Sequence, residues 1–394
     1  MTAEFTVVGG GIGGLVVARR LAMSGRPVTL LEASERLGGT VAAHIVGGVD
    51  LDAGAESFAV RGGTVAALAR ELGLGDEVVA PSGAGAWLQP ASGAAVHLPE
   101  TSILGIPGTP LSADVIAVVG TRGAMRAQLD AVIPSLWARK SLTLGRLVRR
   151  RMGSALLERL VAPVVHGVHS VHPDELDLDR VPGLRAAFGR EGSLAAAVRF
   201  LRDAAPPGSA VAGIRGGVHR LVTELAADLA TYGVDVRLGR RVRSVDGLDG
   251  TVVLAAPLDP SPGRRIVLAT LVVEAPELDP APRGTGVLVA GGAPGIRARA
   301  LTHSTAKWEW LRERAAGRHV LCLSYDDEPA DLEATARADA SALLGATIPE
   351  PVGFARVEWT RRGAGAADVG EAVAGSGLAG IVAQAEAKAE ELLA

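Results

Sequence analysis

The apolar residues at the start of the chain fall into two short runs joined by a segment with helical spacing. Phe5 to Val8 predicts a strand, and Ile12 to Ser24 carries apolar residues at the spacing of a helix. A second apolar run, Pro27 to Ala33, predicts a second strand. Glycines fill the turn between the first strand and the helix, so the pattern predicts a βαβ unit with a glycine-rich first turn.

Later segments predict a helical region followed by a second α/β block. A helical pattern between Gly63 and Gly75 ends on glycine, and residues 111–200 are mostly helical. The doublet Pro206-Pro207 marks a linker. After it, "GGVHRLVTELAADLATYG" predicts an amphipathic helix, "VDVRLGRRVRSV" a pair of short strands and "TVVLAAP" one more strand. The remaining predictions are strands at 266–273 and 286–289, a helix at about 330–344 and a final helix after a glycine-rich turn.

Length and composition limit the number of domains and the partners that the chain can have. The 394 residues are too many for one core, so two or three domains are expected. Hydrophobic residues make up 48% and charged ones 21%, as in globular proteins, and the net charge of −3 gives no field that would recruit nucleic acid. The single cysteine, Cys322, excludes an internal disulfide framework. The longest apolar run, Ile266 to Val273, is too short to span a membrane, so we expect a cytoplasmic protein, with peripheral membrane attachment as the alternative.

The glycine-rich turn has the spacing of a dinucleotide site. Gly9, Gly11 and Gly14 form G-x-G-x-x-G between the predicted strand and helix. Gly9 allows a tight turn, Gly11 lets the backbone approach a pyrophosphate, and Gly14 lets the helix pack closely on the strand. Glu32 ends the second predicted strand, where an acidic side chain binds ribose hydroxyls and repels a 2′-phosphate. These residues disfavour NADP and leave NAD and FAD open.

The residues after Glu32 favour FAD. "EASERLGGT" resembles the long dinucleotide motif of the glutathione-reductase-type flavoproteins, in which paired glycines form a second turn beside the pyrophosphate. The end of the chain agrees, because "VGEAVAGSGLAGIVAQA" places a glycine turn before a helix, as these flavoproteins do at the isoalloxazine ring. The cofactor predicted by this resemblance is FAD.

A longer block narrows the resemblance. "LDAGAESFAVRGGTVAALARELGLG" is similar to the "D-x-G-x-x-S-F … R … L-x-x-E-L-G-L" block of the bacterial FAD-dependent porphyrinogen oxidases, within the flavin amine oxidase superfamily. "GIRGGVHRLVTELAADL" and "ALTHSTAKWEWL" follow in the order of that family. The resemblance implies oxygen-dependent oxidation of coproporphyrinogen III to coproporphyrin III in haem synthesis, with release of hydrogen peroxide. Protoporphyrinogen IX is the alternative substrate.

The resemblance also implies a fold and a domain plan. The fold is α/β, a glutathione-reductase-type, Rossmann-like FAD domain with a mixed-sheet substrate domain and an α-helical insertion. The implied segments are FAD domain 1–84, 206–265 and 363–394, substrate domain 85–110 and 266–362, and helical domain 111–205.

Site residues are carried over from the family motifs. The implied FAD contacts are Gly9, Gly10, Gly11, Ile12, Gly13, Gly14, Glu32, Ala33, Gly39, Thr40, Gly54, Ala55, Glu56, Ser57, Val242, Glu371, Ser376, Gly377 and Leu378. Arg61 is the first candidate for the substrate carboxylates, and Lys307 is the second. The reaction needs no triad and no metal, because the cofactor carries the chemistry, so no catalytic side chain is named.

The implied partners are small molecules, namely a tetrapyrrole substrate and oxygen, without nucleic acid. A peripheral membrane contact and a transient contact with the next enzyme of haem synthesis are further expectations. The basic helix with Arg146, Arg149, Arg150 and Arg151 could rest on an anionic membrane, and a solvated helix face is the favoured interpretation.

Three other features have competing interpretations. The histidines of "HGVHSVH", residues 166–172, resemble a metal site, but Gly167 and Pro173 argue against the continuous helix it would need. Lys307 could reach flavin N5 through water, whereas the favoured interpretation places it over Trp308 or Trp310. Cys322 lies in an apolar predicted strand and is expected to be a small core residue.

Two rival functions stay open at this point. An amine oxidase of this fold would flank the flavin with an aromatic side chain from the C-terminal segment, but no aromatic residue follows Trp359. A carotenoid desaturase would need a more apolar surface. A non-catalytic FAD-binding protein is the other rival, and the shortened region at 362–365 is its only support. The joints near Gln89 and at 254–264 also look shorter than in the family.

Overall fold

The computed structural model describes residues 3–99, 101–138, 140–169, 171–204, 210–259, 263–361, 365–375 and 377–394. This chain forms two compact units. The first unit contains residues 1–81, 208–267 and 357–394, and the second contains 82–207 and 268–356. The chain passes from one unit to the other four times, at 81–82, 207–208, 267–268 and 356–357.

Most strands in the described ranges are short. In chain order they are β1 (Phe5–Val8), β2 (Val28–Leu31), β3 (Ala43–Val46), β4 (Val49–Asp52), β5 (Phe58–Ala59), β6 (Val78–Val79), β7 (Trp87–Gln89), β8 (Val96–His97), β9 (Ser102–Ile103), β10 (Ile106–Pro107), β11 (Val211–Ile214), β12 (Asp235–Arg237), β13 (Thr251–Leu254), β14 (Arg264–Val273), β15 (Gly286–Val289), β16 (Ala300–His303), β17 (His319–Tyr325) and β18 (Gly353–Arg361).

The helices range from single turns to sixteen residues. In chain order they are α1 (Ile12–Met23), α2 (Thr64–Glu71), α3 (Ala113–Gln128), α4 (Leu144–Met152), α5 (Ser154–Leu156), α6 (Ala162–His169), α7 (Leu184–Glu191), α8 (Leu194–Asp203), α9 (Arg220–Thr231), α10 (Ser304–Lys307), α11 (Glu309–Ala315), α12 (Leu332–Leu344), α13 (Glu371–Ala374) and α14 (Leu378–Leu393). Within the described ranges, none of them combines the length and apolar character needed to cross a membrane.

The first unit is built on a parallel sheet in the order β12-β2-β1-β13. Phe5 of β1 is paired with Val28 of β2 on one side and with Thr251 of β13 on the other. Both central strands are buried along their whole length, as expected for a parallel sheet covered by helices. Helices α1, α9 and α14 supply the apolar side chains that complete this core. The predicted βαβ unit is therefore confirmed.

One strand prediction in this unit is wrong. "VDVRLGRRVRSV" contains only β12, and residues 238–250 form no strand. Gly239 has φ of +66°, and its N–H donates to the carbonyl of Ser34, while the Arg240 N–H donates to the carbonyl of Glu32. The chain after β12 therefore turns across the end of β2 and does not continue as a second strand.

The second unit contains a mixed seven-stranded sheet in the order β18-β14-β17-β16-β15-β7-β8. Strand β15 is parallel to β7 and antiparallel to β16, and β16 is antiparallel to β17. Helices α3 to α8 form a separate apolar core, as the predicted helical region requires. The α/β fold with a mixed sheet and a helical insertion is thus confirmed, while the assignment of the six segments to functional domains stays a prediction.

The histidine-rich segment is partly helical, contrary to the argument from Gly167. Helix α6 includes Gly167, and a Cβ at this position would lie 2.5 Å from Cδ2 of Leu288, so the glycine allows close packing on β15. His166 Nε2 lies 2.8 Å from a carboxylate oxygen of Asp326, and His172 lies beyond the end of the helix. The described residues contain no group of three or more potential ligands that could hold a metal ion.

The basic helix α4 differs from both of its interpretations, because its arginines are not all on the surface. Arg151 is fully buried, and its Nε donates to Asp130 Oδ1 at 2.6 Å. Its other N–H groups reach the carbonyls of Ile133 and Gly192. The second oxygen of Asp130 accepts from the N–H of Ala195 at 2.8 Å. The pair therefore ties α4 to the start of α8 and to the turn after α3.

Candidate dinucleotide-binding site

The first turn of the candidate site joins β1 to α1 and depends on glycines for steric reasons. Gly9 has φ of +113°, which L side chains rarely adopt. A Cβ at Gly14 would lie 1.9 Å from the carbonyl oxygen of Gly9, so only glycine lets the helix approach the strand this closely. The predicted roles of both residues therefore agree with the geometry.

The N-terminus of α1 is open to a ligand. Gly11 is the N-cap residue, no side chain caps the helix, and its first turn contains no acidic residue. A Cβ built at Gly11 would have no atom within 4 Å. Free helix N–H groups and the helix dipole favour an anion at such an end, so the turn fits a pyrophosphate.

A second glycine turn lies against the first. The Gly38 N–H donates to the carbonyl of Gly10 at 2.8 Å, and Gly38 has φ of +101°. A Cβ at Gly39 would lie 3.4 Å from the Cα of Gly11, so the backbones of the two turns lie side by side. Gly54 belongs to the same region, because a Cβ there would lie 2.1 Å from the carbonyl oxygen of Thr40.

Glu32 lies at the carboxyl end of β2, beside the first turn. One carboxylate oxygen accepts the N–H of Gly10 at 2.6 Å, and the other accepts the N–H of Ser34 at 2.7 Å and its hydroxyl at 2.8 Å. These hydrogen bonds therefore hold the carboxylate at the carboxyl end of β2, where the ribose of a bound dinucleotide is expected. Val242, the predicted adenine contact, follows the turn in which Arg240 bonds to the backbone of Glu32.

The C-terminal segment returns to the first turn. Asp368 makes two hydrogen bonds with Leu254 of β13. Its side chain accepts the Leu254 N–H at 2.8 Å, and its backbone N–H donates to the Leu254 carbonyl at 2.7 Å. Gly370 follows, and a Cβ on Gly13 would lie 3.2 Å from its Cα. Gln384 of α14 fixes this segment by accepting the N–H of Gly370 and donating to the carbonyl of Asp368.

Two helices begin in this segment, at the predicted ring contacts. Glu371 is the first residue of α13, and Leu378 is the first residue of α14 and is buried. No side chain caps α14 at Gly377, and a Cβ at Gly377 would meet no atom within 4 Å. Ser376 lies outside the described residues. The unit therefore contains a second helix N-terminus that is open in the same way as that of α1.

Trp359 is a site residue that sequence reasoning missed. Its indole Nε1 donates to the carbonyl of Ala53 at 2.9 Å, directly before Gly54, and lies 3.3 Å from a Cβ built at Gly54. The guanidinium of Arg36 lies 5.6 Å from the centre of its ring. Trp359 thus holds the segment predicted to run beside the flavin.

Asp52 and His219 form a second unanticipated feature. Asp52 Oδ1 accepts from the Nδ1 and the backbone N–H of His219 at 2.8 and 2.9 Å, and Oδ2 accepts the N–H of Val218 at 2.9 Å. The hydrogen bond to Asp52 raises the pKa of His219 above its usual value. The preceding Gly217 has φ of +113°, and a Cβ there would lie 2.4 Å from the imidazole. This pair fixes the end of β4 just before Gly54.

The two predicted substrate residues lie in different units. Arg61 is exposed in the first unit, in the turn after β5. Lys307 belongs to the second unit, and its Nζ lies 5.1 Å from the ring centre of the buried Trp308. The interpretation of Lys307 as a cation over a tryptophan ring is therefore confirmed for Trp308. Cys322 lies in β17 as expected, although it is half-buried and not fully in the core.

The chain is similar to known flavin-dependent oxidoreductases in sequence. The sequence signature of the flavin containing amine oxidoreductases matches residues 12–286. A coproporphyrinogen III oxidase of Mycobacterium leprae (strain TN) is 30% identical over an alignment of 400 positions, gaps included. The alignment covers 90% of this chain and 86% of that protein. A coproporphyrinogen III oxidase of Mycobacterium tuberculosis H37Rv is 30% identical, with 93% and 88% covered. Protoporphyrinogen oxidase 2 of Arabidopsis thaliana, chloroplastic/mitochondrial, is 26% identical over 44% of this chain and 34% of its own length.

Solved structures agree on the fold. A protein from Exiguobacterium sp. 255-15, provisionally assigned as a protoporphyrinogen oxidase, has a TM-score of 0.79 at 22% identity, with 100% of this chain and 99% of that chain covered. Putrescine oxidase bound to putrescine has a TM-score of 0.66 at 17% identity, with 100% and 99% covered.

The glycine turns, the acidic residue after β2 and the two open helix ends define a dinucleotide-binding flavoprotein. The chain belongs to the flavin-containing amine oxidoreductase family and, within it, to the family of the bacterial coproporphyrinogen III oxidases. Its cofactor is FAD.

Proposed function

We propose that this protein oxidises coproporphyrinogen III to coproporphyrin III, with oxygen as the electron acceptor. The observation that carries this proposal is the 30% identity to coproporphyrinogen III oxidases over nine-tenths of the chain. The substrate loses six hydrogens, and three molecules of oxygen are reduced to hydrogen peroxide. FAD, when bound, supplies the two-electron oxidant for the C–H bonds.

The role proposed for the protein is to bind and orient this cofactor. The turn at Gly9 to Gly14 and the N-terminus of α1 would bind the pyrophosphate, and Glu32 would bind the ribose. The N-terminus of α14 at Gly377 and Leu378 would direct N–H groups at the ring. Gly39, Thr40 and the Gly54–Ser57 segment would complete the site, supported by the bond from Trp359 to the Ala53 carbonyl. The other implied contacts, including Ala33, Val242 and Glu371, stay proposals of the same kind.

Arg61 and Lys307 are proposed to bind the substrate carboxylates. Coproporphyrinogen carries carboxylates, and guanidinium or ammonium groups bind them through charge-assisted hydrogen bonds. If this is right, Arg61→Gln and Lys307→Gln raise the KM for the porphyrinogen with little change in bound flavin.

The contact with the next enzyme of haem synthesis also stays a proposal.

The test is anaerobic mixing of the FAD-loaded protein with coproporphyrinogen III and, separately, with protoporphyrinogen IX. We expect the flavin absorbance to bleach with coproporphyrinogen III, and porphyrin fluorescence and peroxide to appear when air is admitted. Faster bleaching with protoporphyrinogen IX would favour the activity named for the Arabidopsis relative. A flavin that stays oxidised with both substrates would exclude the oxidase and support a non-catalytic FAD-binding protein.

A further inference from the structure

Arg283 is a cation of the second unit for which neither the family motifs nor the proposed function gives a role. Its guanidinium carbon lies 4.5 Å from the ring centre of Trp87. Trp87 also contacts His97, its partner across β7 and β8, with ring centres 3.8 Å apart. An indole face attracts a guanidinium and, because both groups are planar, restricts its orientation.

The guanidinium of Arg283 lacks the partners that a half-buried arginine normally has. Among the described residues, its Nε is buried without a hydrogen-bond partner, and its Nη1 reaches only the carbonyl of Pro282, at a long 3.4 Å. None of the described carboxylates forms an ion pair with Arg283. Asp279, in the same loop, lies 3.2 Å from the Nε2 of His319 instead. Because buried donors are normally satisfied, these N–H groups point to an acceptor that is not part of the chain.

The backbone fixes Arg283 at one edge of the mixed sheet, in the turn before β15. Gly284 has φ of +55°, and a Cβ there would collide with a carbonyl oxygen of the segment that leads into β7. Thr285 donates its N–H and its hydroxyl to the carbonyl of Gly85, both at 2.8 Å. The turn is therefore tied to the residues just before Trp87, and the guanidinium is brought to the indole ring.

Lys307 lies at the same edge of the sheet. Strand β15 is parallel to β7 and antiparallel to β16, so the starts of β7 and β15 and the end of β16 meet there. Helix α10, which contains Lys307, directly follows β16. The carbonyl of Lys307 accepts the N–H of Ser82 at 2.8 Å. The segment 82–87 is thus bonded to Lys307 near its start and to the turn after Arg283 near its end.

The chemistry of this edge suits a carboxylate carried on a large apolar ring. A guanidinium binds a carboxylate through two parallel N–H groups, and an ammonium group attracts it as a point charge. Trp87 is half-buried, so part of its indole is accessible beside the guanidinium. Arg283 is already oriented on this ring and has no ion pair to give up, so binding a carboxylate requires little reorganisation.

We propose that Arg283 binds a carboxylate of the porphyrinogen at this edge of the sheet and helps to select the substrate with more carboxylates. The inference rests on the proposed function, which names the substrate. Coproporphyrinogen III carries propionates where protoporphyrinogen IX carries vinyl groups, so it offers more negative charge to Arg283 and Lys307. Arg283 is therefore a specificity-determining residue for coproporphyrinogen III.

The first experiment compares steady-state kinetics of Arg283→Gln and the unchanged protein, both loaded with FAD. We expect the KM for coproporphyrinogen III to rise about tenfold, as loss of a hydrogen bond to a charged group does, with kcat and bound flavin nearly unchanged. The KM for protoporphyrinogen IX should rise less. Arg283→Lys keeps the charge without the planar fork and should give an intermediate KM, so it carries the test if Arg283→Gln folds poorly. The control, Arg122→Gln, removes an exposed arginine of α3 and should leave both KM values unchanged.

A second measurement needs no turnover and separates this inference from the proposed function. Binding of coproporphyrin III and of its uncharged methyl ester is followed by porphyrin fluorescence. The unchanged protein should prefer the acid, and Arg283→Gln should lose most of this preference. Unchanged KM and unchanged preference for the acid in Arg283→Gln, or an equal loss in Arg122→Gln, would overturn the inference even if the oxidase is active. A preference for the acid that depends on Arg283, in a protein that oxidises neither porphyrinogen, would support the carboxylate site and exclude the oxidase.

Discussion

Gly11 and Gly14 lie three residues apart in one turn, yet a methyl group would meet different surroundings at the two positions. At Gly11 it would enter open space at the N-terminus of α1, whereas at Gly14 it would collide with the carbonyl of Gly9. The first glycine therefore leaves room for a ligand, and the second lets the helix pack on the strand.

This difference predicts distinct effects of the same substitution. Gly11→Ala should leave the unfolding temperature of the FAD-free protein nearly unchanged and weaken FAD binding more than tenfold, because Cβ would occupy the path of the pyrophosphate. Gly14→Ala should lower the free energy of unfolding of the FAD-free protein by about 1–3 kcal/mol through overpacking. Thermal unfolding without FAD and titration with FAD measure the two effects. Unchanged FAD affinity in Gly11→Ala would contradict the proposed site.

His219 gives a pH-dependent prediction. Its hydrogen bond to Asp52 raises its pKa, with a further contribution from the charge of Asp50, so folding favours the protonated imidazole. The resulting stabilisation is fully present below the unfolded pKa of about 6.5 and is lost as the pH rises through the folded pKa. His219→Gln should therefore lower the free energy of unfolding more at pH 6 than at pH 9. Urea unfolding of both proteins at the two pH values measures how much unfolding free energy the substitution removes. An equal loss of unfolding free energy at both pH values would show that His219 is not charged in the folded protein.

At the scale of elements, α4 shows how a surface-like sequence can contain a buried charge. "RLVRRRM" suggests a helix with a basic solvent face, but Arg151 lies at the side that packs on the 3₁₀ turn Leu129–Ala131 and on α8. Neighbouring arginines in one helix differ in direction by about 100°, so adjacent residues can have opposite environments. The sequence predicted the helix, and the packing of the helical region decided which arginine is buried.

Removing one member of this buried pair should be strongly destabilising. Arg151→Met leaves Asp130 buried without its partner, and we expect a loss of about 3–5 kcal/mol in the free energy of unfolding. The double variant Asp130→Asn with Arg151→Met should recover part of it, since no buried charge is left and the amide oxygen can still accept from Ala195. Denaturant unfolding followed by circular dichroism measures both, and an equal loss in the two variants would show that the charge itself is unimportant.

At the scale of the whole molecule, each unit has its own apolar core. The core of the first unit surrounds the parallel sheet, and that of the second lies among helices α3 to α8. The glycine turns, Glu32 and the N-terminus of α14 all belong to the first unit. A ligand that binds only the folded first unit stabilises that unit by mass action.

We therefore expect FAD to act unequally on the two cores. Calorimetry of the FAD-free protein should show two unfolding transitions, and FAD at about 100 times its Kd should stabilise one of them by about 2.7 kcal/mol. Gly11→Ala should remove this shift and leave the other transition in place. A single transition that moves as a whole with FAD would show that the two units unfold together.

The sequence by itself determined the parts of this protein that depend on neighbours in the chain. The first βαβ unit, the roles of Gly9 and Gly14, the helical region and the position of Glu32 follow from local spacing and steric demands. The FAD assignment followed from motifs that are contiguous in sequence. Each of these features depends on residues close together in the chain, so the sequence alone is enough to predict it.

Only the tertiary structure decided which distant segments meet. Trp359 bonds to Ala53 and His219 to Asp52, over separations of 306 and 167 residues. The segment after β12 is a turn and not the predicted second strand, because its N–H groups at Gly239 and Arg240 bond to the distant carbonyls of Ser34 and Glu32. The burial of Arg151 likewise depends on how helices pack. Packing joins residues that no local pattern connects, and the geometry of the site comes from that packing.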